Sequence, residues 1–507
     1  MTWWRDAVVY QIYPRSFRDS NGDGVGDLAG VRQQLAYLVW LGVDALWLSP
    51  IYPSPMRDFG YDVSDYCDVD AVFGSLEDFD ALVREAHDLG LRVILDWVPN
   101  HTSDEHPWFI DSRSSRSSDS RGWYVWRDAR PDGTPPNNWV RAWSDDPAWS
   151  WDDATGQYYL HCFLPSQPDL DWSNVAVREA MHDTMRFWLD RGVDGLRMDV
   201  VHLLGKELDR DDPEELRALS HVPLNDVAVT HDYVRGVRAV LEEYEERVSI
   251  GEVYLLDPVR VASYYGDGDE LHLSFNFAPL YTPWRAEPWA EVIRRTMDSL
   301  EPRGAWPTWV LSNHDNARIA TRLGGDGAAV RAALVLLLTL RGTPFLFAGE
   351  ELGLEDALIA PERVVDPGGR DGCRAPIPWT TSPDHGWPSD PWLPFVERAS
   401  AMSVDAQMLD EGSMLHFTRS VLALRRDRPA LLGGELEGLH VEGEVLVFDR
   451  VAGGERLRVM VNFAADGGAV IADGPVLLSS RTDHRPGRLD AREAVIVDVS
   501  ASTTFTG

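Results

Sequence analysis

The stretch Val93-Ile94-Leu95-Asp96-Trp97-Val98-Pro99-Asn100-His101 is a short apolar run that gives way at once to polar side chains. Such a run is too short for an ordinary helix and reads as a buried strand with a polar end. Working outward, comparable runs occur at 8–13, 45–48, 195–198, 249–252, 273–277, 309–311 and 345–347, which makes eight candidate strands. Amphipathic segments lie between them. Val31, Leu35, Leu38 and Leu41 share one helical face, and so do Phe79, Leu82, Val83, Ala86 and Leu89. The apolar stretch from Ala332 to Leu340 reads as a buried helix. Eight strand–helix alternations predict a parallel (β/α)8 TIM barrel, with a doubly wound open sheet as the alternative.

The third strand is followed by a long excursion rich in Trp, Asp, Ser and Pro, a length that belongs to a subdomain or a functional lid. The last helical pattern runs near 414–426. Beyond Pro429, the runs at 436–442, 444–450, 456–462 and 494–499 read as strands between Gly- and Asp-rich turns. The expected organisation is a barrel in two parts, 1–100 and 174–430, an excursion domain at 101–173 and a C-terminal antiparallel β-domain at 431–507.

The bulk composition excludes several classes. The 507 residues are 44% hydrophobic, with no apolar run of the roughly 18 residues that a membrane span needs. The N-terminus lacks a basic segment followed by an apolar core, and Cys67, Cys162 and Cys373 show neither a disulfide framework nor zinc-ligand spacing. A cytoplasmic protein with reduced thiols is expected. A net charge of −35 repels nucleic acid and anionic membranes and suits a neutral or cationic ligand. Many of the 21 tryptophans cluster between Trp108 and Trp172, in polar segments where flat aromatic faces would suit the C–H faces of sugars.

Catalytic groups of a parallel barrel sit at the C-terminal ends of its strands. Those ends carry Asp96 through His101, then Arg197-Met198-Asp199, Gly251-Glu252 and Asn313-His314-Asp315. Carboxylates at neighbouring rims are what glycosidic cleavage needs: one acid protonates the leaving oxygen while another carboxylate attacks the anomeric carbon.

These residues carry a resemblance to a known family. Asp96-Trp97-Val98-Pro99-Asn100-His101, Gly195-Leu196-Arg197-Met198-Asp199-Val200-Val201, Gly251-Glu252-Val253, Ser312-Asn313-His314-Asp315 and Gln167-Pro168-Asp169-Leu170-Asp171-Trp172 follow in order along nearly the whole chain. The chain resembles the α-amylase family of glycoside hydrolases, in its α-glucosidase and oligo-1,6-glucosidase branch. The resemblance implies Asp199 as nucleophile, Glu252 as acid/base and Asp315 as a support for the transition state. It implies that Arg197 keeps Asp199 ionised, that His101 and His314 bind sugar hydroxyls, and that Asp62 anchors the terminal glucose over the Tyr61 ring. Phe163 would wall the pocket, with Trp143 beside it, and Arg370, in preference to Arg374, would reach its floor.

The implied activity is exo-acting, retaining α-glucosidase hydrolysis with transglucosylation on the side. The alternatives are an oligo-1,6-glucosidase or a sucrose- or trehalose-type isomerase. Val200, next to the nucleophile, resembles enzymes that accept α-1,6 bonds. Leu196 and Arg341 depart from the branch pattern outside the catalytic set. A non-catalytic family relative would have lost carboxylates that this chain keeps, and a metal-dependent barrel hydrolase would need a ligand set that the strand ends do not display. Asp19, Asn21, Asp23, Val25 and Asp27 space oxygen donors at alternate positions, as a structural Ca²⁺ or Mg²⁺ loop does, although Gly30 replaces the bidentate Glu of an EF-hand. The expected partners are a neutral oligosaccharide or glucoside, with no organic cofactor, nucleic acid or membrane. A monomer or homodimer is expected.

Overall fold

The computed structural model describes residues 2–211, 226–366, 368–471 and 473–500. Its centre is an eight-stranded parallel sheet: β1 (Val9–Ile12), β2 (Ala45–Leu48), β3 (Arg92–Trp97), β4 (Gly195–Met198), β5 (Val248–Gly251), β6 (Leu273–Ser274), β7 (Thr308–Val310) and β8 (Thr343–Phe347). The strand order is β7-β8-β1-β2-β3-β4-β5-β6, so the sheet curls into a nearly closed barrel. Side chains close its one seam. The Thr308 hydroxyl donates to the Ser274 carbonyl at 2.7 Å and accepts from the Asn276 N–H at 3.1 Å. All eight expected strands are present, with ends displaced by a few residues. The barrel, not the open sheet, is the architecture.

Strand alternation sorts the side chains. Tyr10, Leu46, Leu48, Val93 and Leu95 point outward into the core shared with the helices. Val9, Ala45, Trp47, Ile94, Val248, Ile250, Val310 and Phe345 fill the barrel interior. Asp96 lies beside Arg197 in register, and both continue the inward-facing rows of their strands. The helix Leu76–Asp88 begins with a Ser75–Asp78 capping box and buries Phe79, Leu82, Val83 and Ala86. Leu89, expected on that face, falls one residue past the helix and is 48% exposed. The expected buried helix runs over Gly327–Thr339.

The excursion is built on a helix, Pro107–Ser114, and a small antiparallel sheet of Trp126–Arg127, Gln157–Leu160 and Trp149–Asp152. The chain after Leu432 forms a five-stranded antiparallel sheet and a two-stranded one. Buried Arg450, on the strand Val445–Ala452, ties this region to the barrel by donating to the carbonyls of Thr339, Leu432 and Gly434. No helix among the described residues is long and apolar enough to cross a membrane.

Candidate active site

Arg197 sits at the centre of the polar rim. Its guanidinium is 2% exposed, stacks over Trp47, and donates to Asp96 Oδ1 and Asp199 Oδ1, each at 2.8 Å. Its other terminal nitrogen pairs with Glu252 Oε2. One buried cation therefore gathers carboxylates from the ends of β3, β4 and β5. The Asp199 and Glu252 side chains are each only 9% exposed and lie side by side. Burial, then the neighbouring Glu252 carboxyl, raises Asp199 well above the ordinary carboxylate range; Arg197 pulls it down without cancelling those effects. Asp199 thus retains its proton more readily than an isolated aspartate would. Burial also lifts Asp96 to about 6 against the opposing pull of Arg197.

A relay runs from this cluster to β7. Tyr61 donates its hydroxyl proton to Asp96 Oδ2 at 2.9 Å, and the Tyr61 hydroxyl oxygen lies 2.6 Å from His314 Nε2. Gln11 Nε2 is 2.6 Å from His314 Nδ1. With Gln11 donating, His314 carries its proton on Nε2 and passes it toward Tyr61. Burial pushes His314 down to about 3, so the ring is neutral near pH 7. Asp315 is the open member of the site, with its side chain 28% exposed. Burial would raise it, but His314 and the guanidiniums of Arg370 and Arg374 hold it far below the usual range. Arg370 donates to Asp315 at 2.8 Å, and Arg374 to the same oxygen at 3.1 Å. The preference for Arg370 over Arg374 therefore misses a shared role. Arg374 is fully buried behind Asp315, while Arg370 stacks over Trp143 on the pocket side.

On the excursion side, His101 Nε2 lies 3.2 Å from the Tyr61 carbonyl, and its ring packs against Phe163, which in turn meets Trp143. The other tryptophans expected to face sugar mostly do not. Trp126, Trp139, Trp149 and Trp172 are buried, and the excursion uses them as its core. Asp62 also departs from expectation. It is fully buried, and its carboxylate accepts from Ser54 Oγ, Arg57 N–H and Asp58 N–H at 2.8–3.0 Å. It pins a strained turn in which Met56 and Phe59 adopt φ of 61° and 47°. The carboxylate that joins the Arg370–Asp315 cluster is Asp58, also buried, 2.6 Å from Arg370 and 3.0 Å from Gln167 Nε2. Strain recurs beside Asp199, where β-branched Val200 holds φ 36°.

The expected metal residues lie apart from this cluster. Asp19 accepts from the N–H groups of Asn21, Gly22 and Gly24, Asn21 from Asp23, Asp23 from Val25, and Asp27 from Ser20 and Gly30. Asp19 and Asp27 are buried, and neither forms an ion pair among the described residues. No group of three His, Cys, Asp or Glu among the described residues is arranged to hold a metal.

Comparison with known proteins points the same way. The family pattern described as "Alpha amylase, catalytic domain" matches residues 11–434. The chain is 44% identical to a probable alpha-glucosidase of Rhizobium meliloti (strain 1021), covering 91% of this chain and 89% of that one. It is 37% identical to an oligo-1,6-glucosidase of Heyndrickxia coagulans, covering 91% and 92%. The crystal structure of an alpha-glucosyl transfer enzyme, XgtA, superposes with a TM-score of 0.90 at 40% identity, covering 98% of this chain and 100% of that one.

Proposed function

Because the chain belongs to the α-amylase family and is a glycoside hydrolase of the α-glucosidase kind, we propose that it removes terminal α-linked glucose from di- and oligosaccharides with retention of configuration. In this reading Asp199 attacks the anomeric carbon while Glu252 protonates the leaving oxygen. Glu252 then deprotonates the water that releases glucose from Asp199. The observation that carries it is the single guanidinium of Arg197 holding both carboxyls in one small space. Passage of the Asp199 proton to Glu252 as a sugar enters would leave Asp199 ionised against Arg197 and Glu252 holding the proton that the leaving oxygen needs. The Asp58–Arg370–Asp315 cluster would close the far side of the sugar site and take the terminal-sugar anchor role that the resemblance implies for Asp62. Such a closed end favours removal of one residue at a time. Capture of the glucosyl-enzyme by a sugar or alcohol gives transglucosylation.

The test is stereochemical. NMR of maltose or 4-nitrophenyl α-glucoside turnover should show α-glucose as the first product, and Asp199→Asn should abolish turnover. β-Glucose appearing first would refute the mechanism. A second reading, oligo-1,6-glucosidase, is favoured by Val200, which is buried against the excursion core beside Asp199. A panel of maltose, isomaltose, kojibiose, nigerose, sucrose, trehalose and maltotriose separates the two and reveals any isomerisation.

The 19–27 loop is proposed to hold a structural Ca²⁺ or Mg²⁺ through Asp19, Asn21, Asp23, the Val25 carbonyl and Asp27. Support comes from the two buried carboxylates, Asp19 and Asp27, neither of which forms an ion pair among the described residues. No disulfide joins Cys67, Cys162 or Cys373 among the described residues, which supports a reducing compartment such as the cytoplasm.

A further inference from the structure

The chain contains 46 arginines and a single lysine, Lys206. That lysine is also among its most enclosed cations, with a side chain 4% exposed. It lies beyond the short turn Val201–Leu203 that follows the nucleophile, on the pocket side of β4. Its ammonium donates to the Leu203 carbonyl at 2.8 Å and to Asn100 Oδ1 at 2.9 Å, and lies 3.3 Å from Asp169 Oδ2 in the excursion. Three acceptors converging on one point suit a compact tetrahedral ammonium. A planar guanidinium needs them spread along a fork.

The consequence travels through Asn100. An ammonium only donates, so Asn100 must turn its oxygen toward Lys206 and its NH₂ away from it. That NH₂ faces His101 Nδ1 at 3.2 Å. Nδ1 must then accept, and the ring proton resides on Nε2, which points to the Tyr61 carbonyl at 3.2 Å and to the pocket lined by Phe163. Gln167 Nε2, 3.1 Å from the same ring nitrogen, directs one of its two protons to Asp58, and the Asn100 amide and the Tyr61 carbonyl set the ring tautomer. Burial lowers His101, so the neutral ring has a tautomer to fix.

We propose that Lys206 is a positioning residue for the sugar site: through Asn100 it locks His101 as an Nε2–H donor beside Phe163, while its ion pair with Asp169 holds the excursion against the nucleophile loop. Its effect on turnover rests on the α-glucosidase reading; its effect on the ring does not.

¹⁵N NMR of the imidazoles in the ligand-free protein, with H101N identifying the His101 signals, reads the tautomer directly. The wild type should carry the proton on Nε2. K206M should give a mixture and raise KM for 4-nitrophenyl α-glucoside about tenfold with a smaller change in kcat, the size expected for one lost hydrogen bond. K206R should behave like K206M despite keeping the charge. N100D, which offers acceptors on both sides and keeps the Lys206 contact, should draw the proton onto Nδ1, and it decides the matter if K206M does not fold. A wild-type ring protonated on Nδ1, unchanged ring signals in K206M or N100D, or an unchanged KM in a folded K206M would overturn the proposal. Failure of the α-glucosidase reading would show instead as a wild type without turnover.

Discussion

Asp58 and Asp62 lie four residues apart in one loop, and the structure assigns them opposite duties. Asp62→Asn should therefore cost stability and spare chemistry. Its carboxylate accepts three hydrogen bonds that hold Met56 and Phe59 in left-handed conformations. Each such residue carries about 1–3 kcal/mol of strain. An amide at 62 turns one accepting oxygen into a donor facing an N–H, which costs about 1–3 kcal/mol. Part of this is offset because burial already disfavours the Asp62 charge. A lower denaturation midpoint is expected, with kcat/KM of the folded protein within about threefold of wild type. Asp58→Asn should do the reverse. Arg370 keeps its bonds to Asp315 and Asp366, so the fold is largely retained. A charged acceptor at the pocket is lost, worth about 1.5–3 kcal/mol, or roughly a 10- to 100-fold fall in kcat/KM for 4-nitrophenyl α-glucoside. Urea denaturation beside steady-state kinetics on both proteins makes the comparison. A D62N protein with unchanged stability and the larger kinetic loss would refute the assignment and restore Asp62 as the sugar anchor.

Burial raises Glu350 from 4.5 to about 7. The native state therefore holds this proton more tightly than the unfolded chain, and stability falls as pH rises through that window, by about 3 kcal/mol at most above pH 7. E350Q should gain stability relative to wild type between pH 4.5 and 8 in denaturant melts, and a relative loss would contradict the sign. Chelator should lower Tm by a few degrees and added Ca²⁺ restore it, while a protein with Asp19→Ala should respond to neither; identical responses in both proteins would remove the metal from the loop. V200T keeps the β-branch and adds a hydroxyl beside Asp199, and it should move the isomaltose-to-maltose ratio of kcat/KM about tenfold toward maltose. An unmoved ratio would show that Val200 does not read the linkage.

The barrel was legible because a parallel strand buried on both faces is an apolar run, and eight of them separated by helical periods leave few architectures. The excursion strands were not, because a small subdomain has little aliphatic core and fills its centre with tryptophans set among polar residues, as at Trp149–Asp152. The same economy made buried Trp126, Trp139, Trp149 and Trp172 look like sugar platforms. The site divides along a similar line. Arg197 and Asp199 are two apart on a strand, and a period of two fixes both toward the interior, so their contact followed from spacing. Asp58, Tyr61 and Asp62 sit in a loop with no period, where adjacency to Tyr61 says nothing about direction. There the backbone N–H groups of Arg57 and Asp58 decide, capturing Asp62 and leaving Asp58 for Arg370, some 310 residues away in sequence.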